Sequence, residues 1–219
     1  MSAADATHLD EAQIHEARAN LAFMRALVEP DDRWLRQFGE TYSAAGFCYC
    51  AQMLLHAGQF IGLTPATGIG GLAIGLGPTV VFLALLVWII RRNGPATVAN
   101  ATSKAVGAVF GAVGLTNLAL VLIIGSVAWR MHSVTIWLIY PCAVMVLQGM
   151  AWLVAFMLRR RGWMAIVGLG WFVTGLGMAL FIDNMAGFVA TAGAGMFLFM
   201  LLPGLWMLRR AQPGQPGVA

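Results

Sequence analysis

The sequence predicts an all-α polytopic membrane protein: a six-helix transmembrane bundle of three antiparallel helical hairpins, preceded by a cytosolic amphipathic helix. Three observations predict it. Hydrophobic residues make up 60% of the chain and charged residues only 10%, whereas soluble domains carry about 25% charged residues. Six apolar runs each approach or exceed the roughly 20 residues needed to cross the hydrocarbon core of a bilayer. Lys and Arg gather at alternate ends of those runs, as membrane topology requires. The expected organisation is a cytosolic helix and interfacial elbow over residues 1–40, the bundle over 41–210 and a disordered tail over 211–219.

Residues 1–8 read as a frayed start. From about Asp10 to Glu29 the pattern is amphipathic: Ile14, Ala17, Leu21, Met24 and Val28 recur at three- and four-residue spacing, with Glu11, Glu16 and Arg18 off the stripe. Asp10 is the expected N-cap, and Pro30 ends the helix by forcing Glu29 towards extended backbone. This helix is too short and too charged to span. It is expected to lie on the cytosolic side, on the bilayer or docked to a partner, with Ile14, Leu21, Met24 and Val28 as the docking candidates. A second short helix is expected after Pro30, with Asp31 and Asp32 at its N-terminal dipole. It directs Trp34, Leu35 and Phe38 towards the headgroup layer.

The spans are read as Tyr42–Leu63, Gly71–Ile90, Ala105–Trp129, Val134–Leu158, Trp163–Ile182 and Gly187–Leu208. Two connections, Thr64–Gly70 and Asp183–Ala186, are short enough to make their flanking helices antiparallel neighbours. With the N-terminus inside, twelve of the thirteen basic residues fall on the cytosolic side and only Arg130 falls outside. That bias puts both termini in the cytoplasm; the membrane expected is the bacterial inner (plasma) membrane. No basic n-region and cleavage site precede the first span, which is therefore expected to act as the insertion signal. Pro78 and Pro203 are expected to kink the second and sixth spans.

The even spans end alike, in Trp88-Ile-Ile-Arg-Arg, Phe156-Met-Leu-Arg-Arg and Trp206-Met-Leu-Arg-Arg. The odd spans align at a constant spacing of 61 residues: Gly46, Gly107 and Gly168, then Tyr49, Phe110 and Trp171, then Leu54, Leu115 and Leu176. This register points to a parallel repeat of three hairpins. Interfacial aromatics and terminal arginines on any cytosol-ending span would give the same endings by convergence. Small residues at close spacing, such as Gly71 with Gly75, Gly107 with Gly111 and Ala190 with Ala194, suit tight helix packing. A homo-oligomer interface is a second use of such residues, inseparable from internal packing at the level of sequence.

The chemistry that the sequence offers sits first on the first span. Cys48, Gln52, His56 and Gln59 follow at steps of four, four and three and share one helical face. A polar face is costly against lipid, so it should point into the bundle or a cavity, with Asn117 and Gln148 as its expected partners. It reads either as a neutral hydrogen-bonded seam or as the wall of a pore. A second cluster, Arg130, His132, Asp183 and Asn184, gathers at the outer helix ends. It reads as one ion pair tying two loops, or as a shallow mouth for a small ligand or a metal.

Several classes lose support. No Asp or Glu lies within a span, which disfavours proton-coupled transport. His56 has no second intramembrane histidine for haem, and there is no GxSG, HExxH or Walker pattern. Cys48 and Cys50 lie about 200° apart on a helix and do not chelate one ion together, so neither metal nor cofactor is expected. The basic residues form no aromatic-interleaved soluble patch for nucleic acid. The overall form resembles that of small bacterial inner-membrane proteins, on architecture alone, and implies no activity. The function expected is a non-enzymatic integral membrane protein, in contact with the lipid bilayer, that docks a cytosolic partner. The alternative is a small uniporter or channel-like permease, and an enzyme built on the outer cluster is the weakest reading.

Overall fold

A computed structural model describes residues 14–16, 18, 32–93 and 101–211. Ile14 is helical and exposed. Leu21, Met24 and Val28, and the C-terminal tail from residue 212, lie outside the described residues. The described chain is helical, with no strand: α1 Asp32–Phe60, α2 Gly68–Asn93, α3 Ala101–Met131, α4 Val134–Arg159, α5 Gly162–Leu180 and α6 Met185–Met196. A π-helical turn, Phe197–Leu201, joins α6 to α7, Leu202–Arg210.

Five helical stretches are long and apolar enough to cross a membrane: α2, α3, α4, α5 and the continuous run Met185–Arg210. The protein is therefore a multi-pass membrane protein. The sixth run expected to cross falls in α1, which has the length, 29 residues, but not the apolar composition. Gln37, Glu40, Thr41, Ser43, Gln52, His56 and Gln59 all lie along it.

The expected elbow is also different. No break separates a short helix after Pro30 from the first span; α1 runs unbroken through Gly39 and Glu40. Trp34, Leu35 and Phe38 turn towards the bundle. Leu35 is buried, and Trp34 and Phe38 stack on each other at 4.8 Å between ring centroids and pack on the core. The reason is burial: continuing the helix places Phe38 against Phe110 and Trp152 of the bundle.

Helix ends follow their local residues. Gly62 takes φ +72° just past α1, and the Leu63 N–H then reaches the Gly58 carbonyl at 2.9 Å, a glycine-dependent C-cap. Ser133 and Asn184 cap α4 and α6 through their side-chain oxygens. Pro78 and Pro141 both sit inside helices that continue past them, and the second of these was not anticipated as a break point. Pro203 acts on the turn before it. Its ring has no N–H for the Phe199 carbonyl and crowds it. The ladder slips to π spacing there, with the Leu202 N–H bonding to the Phe197 carbonyl.

α1 packs on α2 and on α6, the π turn and α7; α5 packs on α4 and α6; α4 packs on α3. α2 and α3, consecutive in the chain, make no extended contact. The core is aromatic and methionine-rich: Trp152, Trp171, Met145, Met164, Met178 and Met207 are fully buried. The 61-residue register holds in three dimensions. Ala45, Val106 and Val167 are buried at 4%, 1% and 6% exposure, while Leu54, Leu115 and Leu176 point outward at 74%, 70% and 63%. Equivalent positions on α1, α3 and α5 thus share one rotational phase.

Candidate functional site

α1 carries the polar face, and its hydrogen bonds show what that face does. Gln52 Nε2 donates to the Gly75 carbonyl of α2 at 2.9 Å. Gly75 lies in the turn before Pro78, which is inside α2. One turn further along α1, His56 Nδ1 meets Gln59 Oε1 at 2.9 Å, and Gln59 Nε2 donates to the Pro65 carbonyl at 2.9 Å. With the Gln59 amide nitrogen so engaged, its oxygen faces the histidine as an acceptor and Nδ1 is the donor. Thr64 closes the turn by donating to the Leu55 carbonyl at 2.7 Å. Cys48 is buried. The polar residues of α1 therefore fasten α2 and the loop between the two helices.

This corrects the expected partnership. Asn117 and Gln148 do not bond to the α1 face. Their side-chain oxygens, Asn117 Oδ1 and Gln148 Oε1, are buried without a hydrogen-bond partner among the described residues. They sit on the two arms of the α3–α4 hairpin. The Arg159–Ser103 hydrogen bond at 2.7 Å lies towards one end of the hairpin, and the Trp137 ring beside Gly125 lies towards the other.

The outer cluster is not drawn together either. Arg130 bonds to the Ser126 carbonyl of its own helix, and the Asn184 side chain caps α6 through the Gly187 N–H at 3.1 Å. His132 sits exposed in the α3–α4 turn at φ +49°, and Asp183 is exposed. No ion pair joins Arg130 to Asp183 among the described residues. Both lie at exposed helix ends, where hydration competes with pairing. No group of three or more His, Cys, Asp or Glu that could hold a metal ion occurs among the described residues.

A buried polar centre lies elsewhere on α1. The Tyr42 hydroxyl, buried in the bundle, accepts from Trp152 Nε1 at 2.6 Å and from Trp171 Nε1 at 3.0 Å. Phe38 and Phe110 pack edge-on against Trp152, and Trp163 and Trp206 extend the cluster towards the basic end. A signal was present. Trp152 and Trp171 lie well inside apolar runs, where an indole N–H must find an acceptor within the protein.

No protein family, curated protein or solved structure matches the chain. The site is therefore read from its own geometry.

The basic end of the bundle holds the last constellation. Glu40 accepts from Arg92 at 2.7 Å, Asn93 at 3.0 Å and Arg36 at 3.3 Å. Burial works to raise the Glu40 pKa, but the hydrogen bond from Asn93 and the charges of Arg92 and Arg36 outweigh it and hold the carboxyl below its ordinary range. Arg92 lies over the Trp88 ring and Arg210 over Trp206, the same four-residue step at the ends of α2 and α7, and Arg159 lies over Trp34. An open, apolar groove of about 550 Å³ runs beside them, between α1, α2 and α7, with Phe47, Trp88, Leu201 and Leu205 in its walls and Glu40 and Arg92 at its rim. Gln52, His56 and Gln59 do not line it.

Proposed function

We propose that this chain is a non-enzymatic integral protein of a bacterial inner membrane that holds a cytosolic partner at the bilayer through its N-terminal segment. In this reading α1 makes a sixth crossing, the basic end faces the cytoplasm, and both termini lie on that side. The observation that carries the reading is the use of the polar face: Gln52, His56 and Gln59 are engaged in fastening α1 to α2 and to the following loop. A helix bonded in this way serves as a fixed mount for the segment that precedes it, better than as the wall of a path. Ile14, on the apolar stripe, is exposed and so open to a partner.

The test compares the full chain, a chain lacking residues 1–30 and the Leu21→Asp/Met24→Asp variant in quantitative pull-downs from membranes. The expected outcome is loss of the same cytosolic protein from both altered chains. An unchanged set of partners would remove the docking reading. A reporter fused after Ala219 tests the orientation independently.

One observation favours a second reading, the small uniporter or channel-like permease. Asn117 Oδ1 and Gln148 Oε1 are two buried acceptors on neighbouring helices without donors among the described residues, and unsatisfied polar groups within a membrane protein suit the wall of a polar path. Proteoliposomes should then pass a small neutral solute such as urea or glycerol, and Asn117→Leu with Gln148→Leu should stop it. Equal flux from both proteins ends that reading.

A further inference from the structure

The three-hairpin register exposes a vacant helix seat. On α1, a Cβ at Gly46 would come within 2.7 Å of the Leu201 backbone, and Met53 lies 3.3 Å from the Cβ position of Gly193. On α5, 122 residues later in the same register, a Cβ at Gly168 would lie 3.1 Å from the Gly149 carbonyl of α4, and one at Gly175 would lie 3.2 Å from Met145 Cβ. In both places an odd helix seats the even helix of the preceding hairpin, taking the order as cyclic: α1 takes α6–α7, and α5 takes α4.

The equivalent positions on α3 are Gly107 and Gly114. A Cβ at either, or at Gly111 between them, meets nothing within 4 Å. By the rule of the other two repeats this seat belongs to α2, and α2 is elsewhere. It is held on α1 by Gln52 at Gly75 and by Glu40 at Arg92 and Asn93. α2 shows the matching deficit. The α4 residues that seat against α5, Gly149 and Met145, lie ten and fourteen positions before Arg159; counted back from Arg91, they correspond to Val81 and Gly77. Val81 is 53% exposed, and a Cβ at Gly77 meets nothing within 4 Å.

We propose that a second copy of this chain fills the seat, with α2 of each protomer packed on Gly107, Gly111 and Gly114 of its partner's α3. Two features select a second copy over another membrane helix. Each chain offers both halves of the contact, a seat on α3 and an unseated face on α2, so one two-fold axis along the membrane normal closes both seats at once and leaves no open end. Such an axis keeps each helix's direction, and α2 and α3 run in opposite senses, as the seated pairs α1 with α7 and α5 with α4 do. Glycines at steps of four and three then let the backbones approach, which is the main source of helix affinity in lipid. The inference does not depend on which reading of function holds.

The experiment is single-molecule photobleaching of the full chain in liposomes over a range of protein-to-lipid ratios. Wild type should be dimeric. Gly107→Leu with Gly111→Leu should raise the ratio needed for dimerisation by about tenfold or more. The thermal unfolding midpoint of the monomer should not fall, because the added side chains enter open space and replace glycine within a helix. A second measurement uses chains with Cys48, Cys50 and Cys142 replaced by Ala. Mixing a Val81→Cys chain with a Gly107→Cys chain should give an oxidised cross-link between copies. Wild type that is monomeric at every ratio would overturn the proposal. So would leucine variants that dimerise as well as wild type, or a disulfide that forms only within a single chain carrying both cysteines.

Discussion

The hydroxyl of Tyr42 accepts the indole N–H of Trp152 at 2.6 Å, joining two residues 110 positions apart in the core of the bundle. Trp171 adds a second N–H to the same oxygen. Tyr42→Phe removes the acceptor and leaves two buried donors. It should lower stability by about 2 kcal/mol or more, since each orphaned group costs roughly 1–3 kcal/mol. Trp152→Phe strands no donor, because Tyr42 keeps Trp171, so its cost should come from the lost ring volume in the core. Thermal unfolding in detergent, followed by tryptophan fluorescence for Tyr42→Phe and by circular dichroism for both, compares them.

Equivalent glycines should respond in opposite ways. Gly46→Ala drives a methyl into the Leu201 backbone at 2.7 Å and should destabilise by about 1–3 kcal/mol, the usual cost of overpacking. Gly107→Ala adds its methyl to open space and gains up to about 1 kcal/mol of helix propensity. Unfolding midpoints of the two variants as detergent-solubilised monomers should therefore fall on either side of wild type.

Gln59 holds two contacts, accepting from His56 and donating to the Pro65 carbonyl. Gln59→Leu should cost about 1 kcal/mol, in the range of intramembrane polar contacts. It should also speed proteolysis or hydrogen exchange in the α1–α2 loop. Exchange that stays at the wild-type rate would show that Thr64 alone fixes the loop.

The Glu40 cluster sets a pH dependence. Its carboxyl pKa is depressed in the folded protein, so its contribution is present above the unfolded carboxylate value and is lost as pH falls through the lower folded value. Acid should therefore loosen α1 from the basic end of α2. Trp88 fluorescence, sensitive to the overlying Arg92, should change in that acid range, and Glu40→Gln should abolish the change while lowering stability at neutral pH.

Much of the fold was legible because lipid imposes few solutions. Apolar runs of membrane length must be helices, and α2 to α5 begin and end within a few residues of the spans read from hydropathy. The shared polar face of Gln52, His56 and Gln59 was legible from helical spacing. Its partners were not, because a glutamine can bond a backbone carbonyl that no sequence pattern marks. Gly75 and Pro65 were invisible as acceptors, while Asn117 and Gln148 looked suitable only by residue type. Tyr42 was read as the edge of a span because its partners lie in α4 and α5, beyond any local window.

The sequence by itself determined the helical class, the membrane-length runs, the basic end and the 61-residue register, since each depends on composition or local period. Only the tertiary structure decided which of three equivalent glycine seats are filled. Gly46, Gly107 and Gly168 are identical in sequence terms. They differ because the π turn before α7 lies against α1 and α4 lies against α5, while Gln52 and Glu40 hold α2 on α1 and leave the glycine face of α3 uncovered.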